Sequence, residues 1–287
     1  PWIHHRRIVA ANVGAKPTAA RHTVSTEMRN LAAYGKHAVK ALARGQAREV
    51  VATSAGIVLR TGEIVQDLWS RPRVRCGFCG WQGRAYRTFV AGGGSRRGAV
   101  CPRCLSLERH RDFLQLFRLI RDRLPSPIRL LDVAPNPAFA AFCREAEGIA
   151  YLSIDKSSPL AMRHMDVQDL DLGSEAFDVL VCSHVLDYVP DDRRAMNEFH
   201  RVLGPRGLGI LQEGLIESGP TEEWGRPRPD RQHRIRQYGT DFSERLRASG
   251  FAVTSIRRPS GQVFLVARSP AVLDALGPLA PHAPAQP

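Results

Sequence analysis

The sequence contains no apolar run long enough to cross a membrane. A transmembrane helix needs about 20 consecutive apolar residues, and charged residues, which make up 24% of the chain, interrupt its apolar stretches well before that length. The first residues also lack the succession of basic, apolar and small residues that marks a secretory signal. Hydrophobic residues make up 43% of the chain, so the composition predicts a soluble, cytoplasmic protein with a buried core.

Acidic residues are scarce in the first part of the chain. Residues 1–125 contain 23 Lys and Arg but only 7 Asp and Glu, whereas residues 126–287 contain 18 and 21. A basic segment of this kind attracts RNA, an anionic small molecule or a phospholipid surface through long-range electrostatics. A solvated, Arg-rich surface without a specific partner accounts for the same counts. The charge alone therefore leaves the partner open.

The six cysteines lack the even spread of a disulfide framework. Four of them form two Cys-x-x-Cys pairs, Cys76 with Cys79 and Cys101 with Cys104, separated by 21 residues. Two such pairs can close a tetrahedral zinc site, and four thiolates leave no open position for chemistry. Free thiols and an iron–sulfur cluster are the alternatives. The spacing favours a structural zinc ion.

Hydrophobic periodicity divides the chain into four parts. Residues 1–69 are a basic, mainly helical extension, poorly ordered up to residue 22, and residues 70–125 contain the cysteine pairs and a linking helix. Residues 126–269 alternate between strand-like and helix-like segments, which predicts an α/β fold with a doubly wound, Rossmann-like parallel sheet. Residues 270–287, rich in Pro and Ala, are expected to form a flexible tail.

The strand ends of this sheet contain residues from which a ligand site can be built. Ligands of open α/β sheets bind beyond the carboxyl ends of the strands, where the strand order reverses. The first strand, Ile128–Val133, leads into a loop at residues 134–137, and the second ends in Asp155, whose carboxylate can accept hydrogen bonds from a ribose. Asp166 is placed to face the purine edge of the same ligand. No Gly-x-Gly-x-x-Gly pattern follows the first strand, which argues against NAD.

Eight segments of the chain form an ordered set of motifs: residues 76–81, 101–104, 107–111, 130–134, 153–155, 165–167, 177–179 and 201–207. The segments from residue 130 onward resemble the motifs of class I S-adenosylmethionine-dependent methyltransferases. The segments around the cysteine pairs extend this resemblance to a zinc-bearing branch of these enzymes, over about residues 70–268. In the first loop, Ala134, Pro135, Asn136 and Pro137 stand where the family usually has glycines.

The resemblance implies a cofactor role for each residue near the strand ends. Asp155 would hold the ribose hydroxyls of S-adenosylmethionine, Asp166 and Val167 would contact the adenine, and residues 132–136 would approach the methionine part. The residues after the third strand would line the floor near the sulfonium. The cofactor-binding residues implied in this way are Asp132, Ala134, Asn136, Asp155, Asp166, Val167, Cys182 and Ser183.

Two histidines are candidates for removing a proton from the methyl acceptor. Methyl transfer is an in-line displacement, so the protein mainly positions the acceptor, but an oxygen or amine acceptor can also need a base. His184 follows the third strand, and His233 lies in the long connection after residues 207–212, a usual place for a substrate lid. Histidine titrates near pH ~6.5 and suits this task. The alternatives are that His184 only packs over the cofactor and that His233 only orders the lid.

The segment after His233 supplies the candidate acceptor-binding residues Arg234, Arg236 and Tyr238. Because guanidinium groups pair with carboxylates and phosphates, the two arginines favour an acceptor with anionic groups. Ordinary packing of these side chains is the alternative.

Three functions remain open at this point, and the sequence specifies no oligomeric state. The leading hypothesis is a methyltransferase acting at oxygen or nitrogen of a small-molecule or carbohydrate-like acceptor. The second is an RNA methyltransferase that docks through its basic front half and zinc module, although only Phe78, Trp81 and Tyr86 offer base stacking there. The third, suggested by the altered first loop, is a non-catalytic adaptor that binds zinc and a nucleotide.

Overall fold

The computed structural model describes residues 21–91 and 94–279 and divides the chain into two compact units. The first unit extends to Leu114, and the second begins at Gln115. Of the residues 1–22 for which poor order is expected, residues 1–20 lie outside the described residues, whereas Arg21 and His22 are helical. Residues 280–287 of the expected flexible tail also lie outside the described residues.

Two long helices occupy the first described residues of the first unit. They are α1 (Arg21–Ala43) and α2 (Ala47–Leu68). In α2, Thr53, Gly56 and Arg60 are buried, and their spacing of three and four residues is that of one face of a helix. From residue 21 to residue 69, the chain is thus mainly helical, as predicted.

Two short hairpins and a third helix complete this part of the chain. The first hairpin pairs β1 (Val74–Arg75) with β2 (Gln82–Gly83), and the second pairs β3 (Arg87–Ala91) with β4 (Gly94–Val100). Helix α3 (Glu108–Arg121) follows the second cysteine pair. Its residues belong to both units, because the division falls after Leu114.

A seven-stranded, mostly parallel sheet forms the centre of the second unit. Its strands are β5 (Ile128–Val133), β6 (Ile149–Asp155), β7 (Arg163–His164), β8 (Phe177–Ser183), β9 (Leu203–Gln212), β12 (Ala252–Arg258) and β13 (Gly261–Ala267). Their spatial order is β12-β13-β9-β8-β5-β6-β7, and β13 alone runs against its neighbours. The order reverses between β5 and β8, so the predicted doubly wound α/β fold is confirmed.

The central strands are buried on both faces. Five of the six residues of β5 and eight of the ten residues of β9 are buried, which is the pattern of a parallel strand covered by helices on both sides. The helices of this unit are α4 (Pro137–Glu145), α5 (Asp192–Val202), α6 (Phe242–Ala248) and α7 (Pro270–Ala275).

Helix α7 differs from the flexible tail expected after residue 269. The side chain of Ser269 accepts a hydrogen bond from Ala271 N, and Pro270 occupies the first helical position, where proline's missing N–H costs nothing. These two local signals begin a helix in a segment that composition alone assigns to a flexible end.

A separate hairpin lies in the connection between β9 and α6. It pairs β10 (Glu222–Arg228) with β11 (Arg234–Gln237). We call residues 214–241 the connecting segment, because they join β9 to α6. Within residues 21–91 and 94–279, no helix combines the length and the apolar character needed to cross a membrane.

Candidate functional site

The strand register places four residues in a row along the carboxyl edge of the sheet. Val133 of β5 pairs with Ile154 of β6 and with Cys182 of β8. The residues that follow these three are Ala134, Asp155 and Ser183, and Ser183 in turn pairs with Gln212 at the end of β9. Neighbouring strands lie about 4.8 Å apart, so the row is continuous. It lies at the point where the strand order reverses, the expected ligand position of such sheets.

The loop after β5 turns directly into a helix. Ala134 adopts a left-handed backbone with φ of 58°, a conformation that glycine adopts without strain. Asn136 Oδ1 accepts hydrogen bonds from Ala138 N (3.0 Å) and Phe139 N (3.3 Å), and Pro137 opens the helix. The two residues that depart from the glycine-rich pattern are therefore a helix cap and a helix-starting proline.

Asp155 ends β6 with one oxygen engaged by the backbone. Its Oδ1 accepts hydrogen bonds from Ser157 N (2.8 Å) and Ser158 N (2.7 Å). This geometry orients the carboxylate at the edge of the sheet, while Oδ2 takes no part in those two bonds.

Asp132 and Val167 are both buried. Asp132 accepts a hydrogen bond from Tyr151 Oη at 2.7 Å. Val167 is buried in the main hydrophobic cluster of the second unit.

Asp166 is held on both oxygens. Its Oδ2 lies 2.8 Å from Lys156 Nζ, and its Oδ1 accepts from Gln168 N and Gln168 Nε2, both at 3.0 Å. Partial burial pushes its pKa upward, but the hydrogen bonds from Lys156 and Gln168 outweigh this and hold the pKa at about 2.

The end of β8 brings a thiol and a hydroxyl to the same region. Cys182 is fully buried, and this burial raises the pKa of its thiol well above the usual range. Ser183 Oγ is also shielded from solvent and finds no hydrogen-bond partner among the described residues. A polar atom of this kind is one that a ligand can satisfy.

His184 lies beside two buried carboxylates that are not among the site residues predicted from the sequence. His184 adopts a left-handed backbone (φ 53°), and its N–H donates to Gln212 O at 2.8 Å. One ring nitrogen of His184 and one oxygen each of Asp187 and Glu213 lie within 4.8 Å of one another. We call these three residues the carboxylate–histidine cluster.

Glu213 caps the turn that follows β8. Its Oε1 accepts hydrogen bonds from Val185 N and Leu186 N, both at 3.1 Å, at the start of the 3₁₀ helix Leu186–Tyr188. Burial raises its pKa well above the usual range, and the neighbouring charge of Asp187 adds to this. Glu213 directly follows β9, and Asp155 is the last residue of β6. A carboxylate at a strand end is the sequence signal that could have identified Glu213.

Asp187 is paired with the first arginine of the connecting segment. Arg234 Nε lies 2.9 Å from Asp187 Oδ2. Burial raises the pKa of Asp187 to about 6, although the Arg234 charge opposes the shift. Arg234 Nη1 also donates to Gln237 Oε1 at 2.9 Å. No local sequence pattern predicts that Asp187 lies in the site, because the 3₁₀ turn alone brings it next to Glu213.

Arg236 and Tyr238 direct their polar groups to the protein itself. Arg236 is buried and donates to three backbone carbonyls, those of Leu186 (2.7 Å), Val189 (2.5 Å) and Pro190 (3.0 Å). Tyr238 is fully buried. Its Oη donates to a carboxylate of α5, Asp192 Oδ2, at 2.8 Å. In this structure the two predicted acceptor-binding residues instead fix the connecting segment to the turn after β8 and to α5.

His233 lies at the exposed turn between β10 and β11. It adopts a left-handed backbone (φ 65°), and its N–H donates to Arg228 O at 2.8 Å. The side chain of His233 is not part of the carboxylate–histidine cluster.

In the first unit, the four clustered cysteines converge on one point. Cys76 Sγ lies 3.6 Å from Cys104 Sγ, and Cys79 Sγ lies 3.6 Å from Cys101 Sγ. Zinc–sulfur bonds of about 2.3 Å in a tetrahedron place sulfur atoms about 3.8 Å apart. The spacing is therefore compatible with a zinc ion.

The two Cys-x-x-Cys turns share one backbone geometry. Gly80 N donates to Cys76 O, and Leu105 N donates to Cys101 O, both at 2.9 Å. Gly80 and Leu105 occupy equivalent positions and have positive φ values of 70° and 57°. A leucine in this conformation is strained, and the shared turn directs the sulfur atoms of both pairs to one point.

Comparison with known proteins supports a methyltransferase domain in the second unit. Residues 116–211 match the family model described as a methyltransferase domain, a stretch that contains β5, β6, β8 and β9. No curated protein matches the chain.

Solved structures of similar fold include three from different organisms. The 1,6-didemethyltoxoflavin-N1-methyltransferase of Burkholderia thailandensis is 19% identical, with a TM-score of 0.40 over 53% of this chain and 76% of that chain. A putative sarcosine dimethylglycine methyltransferase from Galdieria sulphuraria is 15% identical, with a TM-score of 0.43 over 53% and 67%. A protein from Pyrococcus horikoshii is 16% identical, with a TM-score of 0.43 over 56% and 92%.

Proposed function

We propose that the chain transfers a methyl group from S-adenosylmethionine to an oxygen or nitrogen atom of a small-molecule or carbohydrate-like acceptor. The observation that supports this most is the row of Ala134, Asp155 and Ser183 where the strand order reverses. The match of residues 116–211 to a methyltransferase domain covers the same strands.

The cofactor would lie across this row. Asp155 accepts the ribose hydroxyls, since its Oδ1 is already oriented by two backbone amides. The methionine part lies near Ala134 and the start of α4, where the backbone approaches without a bulky side chain, and where Asn136 fixes the helix end. Ser183 Oγ offers a hydrogen-bonding group near the sulfonium.

The other implied cofactor residues shape this pocket from behind. Asp166 presents its backbone and the adjacent Val167 to the adenine, because both of its side-chain oxygens are engaged by Lys156 and Gln168. Asp132 and Cys182 act through packing and hydrogen bonding within the sheet, given their burial.

The acceptor would lie beside the carboxylate–histidine cluster. His184 is the histidine that we propose as the base, because the carboxyl groups of Asp187 and Glu213 lie beside its imidazole and can orient it. Arg234 is balanced by Asp187, and the charges of the cluster favour an acceptor with hydroxyl or amine groups over the anionic acceptor predicted from the sequence. Arg236 and Tyr238 position the segment that covers this side.

The cysteine cluster would hold one structural zinc ion. The matching turns and the sulfur separations support this assignment. The clusters of buried apolar residues around the cysteines are small, and zinc supplies the missing stability in modules of this kind.

Cofactor binding tests the proposal first. In Asp155→Asn, the remaining Oδ1 still accepts from Ser157 N and Ser158 N, but the second acceptor oxygen becomes a donor. We expect titration calorimetry to show S-adenosylhomocysteine binding to the wild type, and binding roughly tenfold or more weaker in the variant, a loss of about 1.4 kcal/mol. Asp171→Asn, which changes an exposed carboxylate, is the control and keeps wild-type affinity. Equal affinity in all three proteins would remove Asp155 from the cofactor site.

The acceptor class is tested with the same three proteins. Radiolabelled S-adenosylmethionine and a cell extract are added, and RNase-sensitive polymer is separated from the low-mass pool. We expect label in low-mass compounds, reduced in Asp155→Asn. Label in RNA would instead favour docking through the exposed Arg71, Arg73 and Arg75 beside the exposed Trp69. Absence of cofactor binding would favour the non-catalytic adaptor.

A further inference from the structure

The carboxylate–histidine cluster brings three metal-ligating side chains together at the carboxyl edge of the sheet. The nearest suitable atoms of His184, Asp187 and Glu213 all lie within 4.8 Å of one another. Two ligand atoms on one divalent ion, each with a bond of about 2.1 Å, are separated by about 3 to 4 Å. Small side-chain rotations are enough to bring the three atoms to one ion.

The three side chains belong to separate segments of the fold, and backbone contacts hold these segments together. Glu213 directly follows β9, and its Oε1 is fixed by two amides of the turn after β8. His184 is tied to the end of β9 through Gln212 O, and Asp187 lies on the 3₁₀ turn that Glu213 caps. Such an arrangement is pre-organised, since ligands built on strand ends need little ordering when an ion arrives.

A buried oxygen of Glu213 points independently to a bound cation. Glu213 has only 4% of its surface exposed, and its Oε2 is buried without a hydrogen-bond donor among the described residues. A buried, unsatisfied carboxylate oxygen is costly, and carboxylates in such positions are normally paired or coordinate a metal.

The two carboxylates of the cluster are only partly balanced by positive charge. Arg234 pairs with Asp187, whereas no ion pair to Glu213 is found within the part of the chain that the structure describes. Arg236, the next cation along β11, already contacts Glu223 at 3.0 Å. Two carboxylates thus face one guanidinium.

We propose that His184, Asp187 and Glu213 bind one divalent cation, with Mn²⁺ as the representative ion. One imidazole and two carboxylates form a harder ligand set than the four thiolates of the cysteine cluster, which retain zinc. This inference rests on the proposed methyl transfer. With the ion bound, His184 serves as a ligand instead of as the base, and an acceptor hydroxyl on the ion would lose its proton to water more easily. A hydroxylated acceptor would then be favoured.

Manganese titration of the zinc-replete, full-length protein tests this binding without requiring activity or S-adenosylmethionine. The electron paramagnetic resonance signal of free Mn²⁺ falls as the ion binds. We expect one bound Mn²⁺ per chain, with a nitrogen hyperfine coupling in the pulsed spectrum that disappears in His184→Ala. Glu213→Gln and Asp187→Asn should weaken binding roughly tenfold or more, as loss of a ligand does. Arg234→Gln should tighten binding, because it removes a competing positive charge.

Glu217→Gln provides the matched control. It makes the same substitution in the connecting segment, at an exposed position, and should bind Mn²⁺ as the wild type does. Circular dichroism identifies any variant that fails to fold. If Glu213→Gln is such a variant, His184→Ala still tests one of the ligands, because His184 is only half-buried. The proposal is overturned if the wild type binds no Mn²⁺, if His184→Ala keeps full affinity and the nitrogen coupling, or if Glu217→Gln weakens binding as much as the ligand variants do.

Discussion

Asp166 shows how one carboxylate is tuned by its immediate neighbours. Its two oxygens are held by Lys156 and Gln168, and the charged form is favoured strongly enough to hold its pKa at about 2, against an ordinary value of 3.8. A depressed pKa in the folded state means that the contribution of Asp166 to stability is fully present above pH 3.8 and is lost as the pH falls through about 2.

Replacing the lysine should release this carboxylate. In Lys156→Met, we expect the pKa of Asp166 to rise toward 3.8, because the charged hydrogen bond is lost while Gln168 remains. Carboxyl NMR titration measures this directly. Arg163→Met, which removes the partner of the neighbouring Asp171, should leave the Asp166 titration unchanged. An unchanged pKa in Lys156→Met would show that Gln168 and the backbone alone hold the charge.

The sequence predicts some of the site residues for reasons that local chemistry supplies. Asp155 could be selected because a carboxylate at the end of a buried strand has a fixed place in an open sheet. Glu213 stands in the same relation to β9 and could have been found by the same rule. Asp187 could not, because a 3₁₀ turn decides where it lies.

Arg236 shows where charge patterning misleads. In the sequence it is one of several arginines in a long connection, a setting that predicts exposure to solvent or to a ligand. In the structure it satisfies three carbonyls of the turn after β8. This burial depends on a partner about 47 residues away, so no local pattern could predict it.

At the scale of elements, the connecting segment is held by backbone contacts as well as by side chains. Ile216 N donates to Tyr238 O (2.9 Å), and Thr240 N donates to Gly219 O (3.0 Å). A Cβ atom at Gly239 would lie less than 3.0 Å from the backbone of Gly219 and Pro220. Glycine is therefore required at position 239, where the backbone closely approaches Gly219 and Pro220.

Adding one methyl group at Gly239 should loosen this segment. We expect Gly239→Ala to lower the free energy of unfolding by about 1–3 kcal/mol, because the backbone must shift to relieve the clash. Gly173→Ala is the control, since a Cβ there meets nothing within 4 Å, and its effect should stay within about 0.5 kcal/mol. Urea unfolding of the three proteins measures both values. Equal stability of the two variants would contradict the required close approach.

Element types were predicted well where periodicity is strong, and less well where capping decides. The buried strands β5, β8 and β9 and the helix α5 follow from apolar runs and from helical spacing. Helix α7 depends on Ser269 and Pro270 in a Pro- and Ala-rich segment, where the local cap outweighs the composition on which the prediction of a flexible tail was based. The β10–β11 hairpin has no alternating apolar pattern, because most of β10 is exposed.

At the scale of the molecule, the two units differ in what stabilises them. The second unit has a large buried cluster that packs helices α5 and α6 against the sheet. Around the cysteines of the first unit, one cluster of buried residues contains Val100, Leu105 and Leu107. A second contains Trp81, Cys76 and Cys101. Small apolar clusters supply little burial energy, and the basic excess of this part of the chain adds repulsion.

Removal of the proposed zinc ion should therefore unfold the first unit and spare the second. We expect calorimetry of the zinc-replete protein to show two transitions, and a chelator to abolish the one that belongs to the first unit, since metal binding and folding are one equilibrium in such modules. Cys101→Ser should reproduce the chelated state without a chelator. Cys143→Ala removes a buried cysteine of the second unit and should leave the zinc content and the zinc-dependent transition unchanged. A chelator that shifts neither transition would exclude a structural metal, and one that abolishes both would show that the two units fold as one.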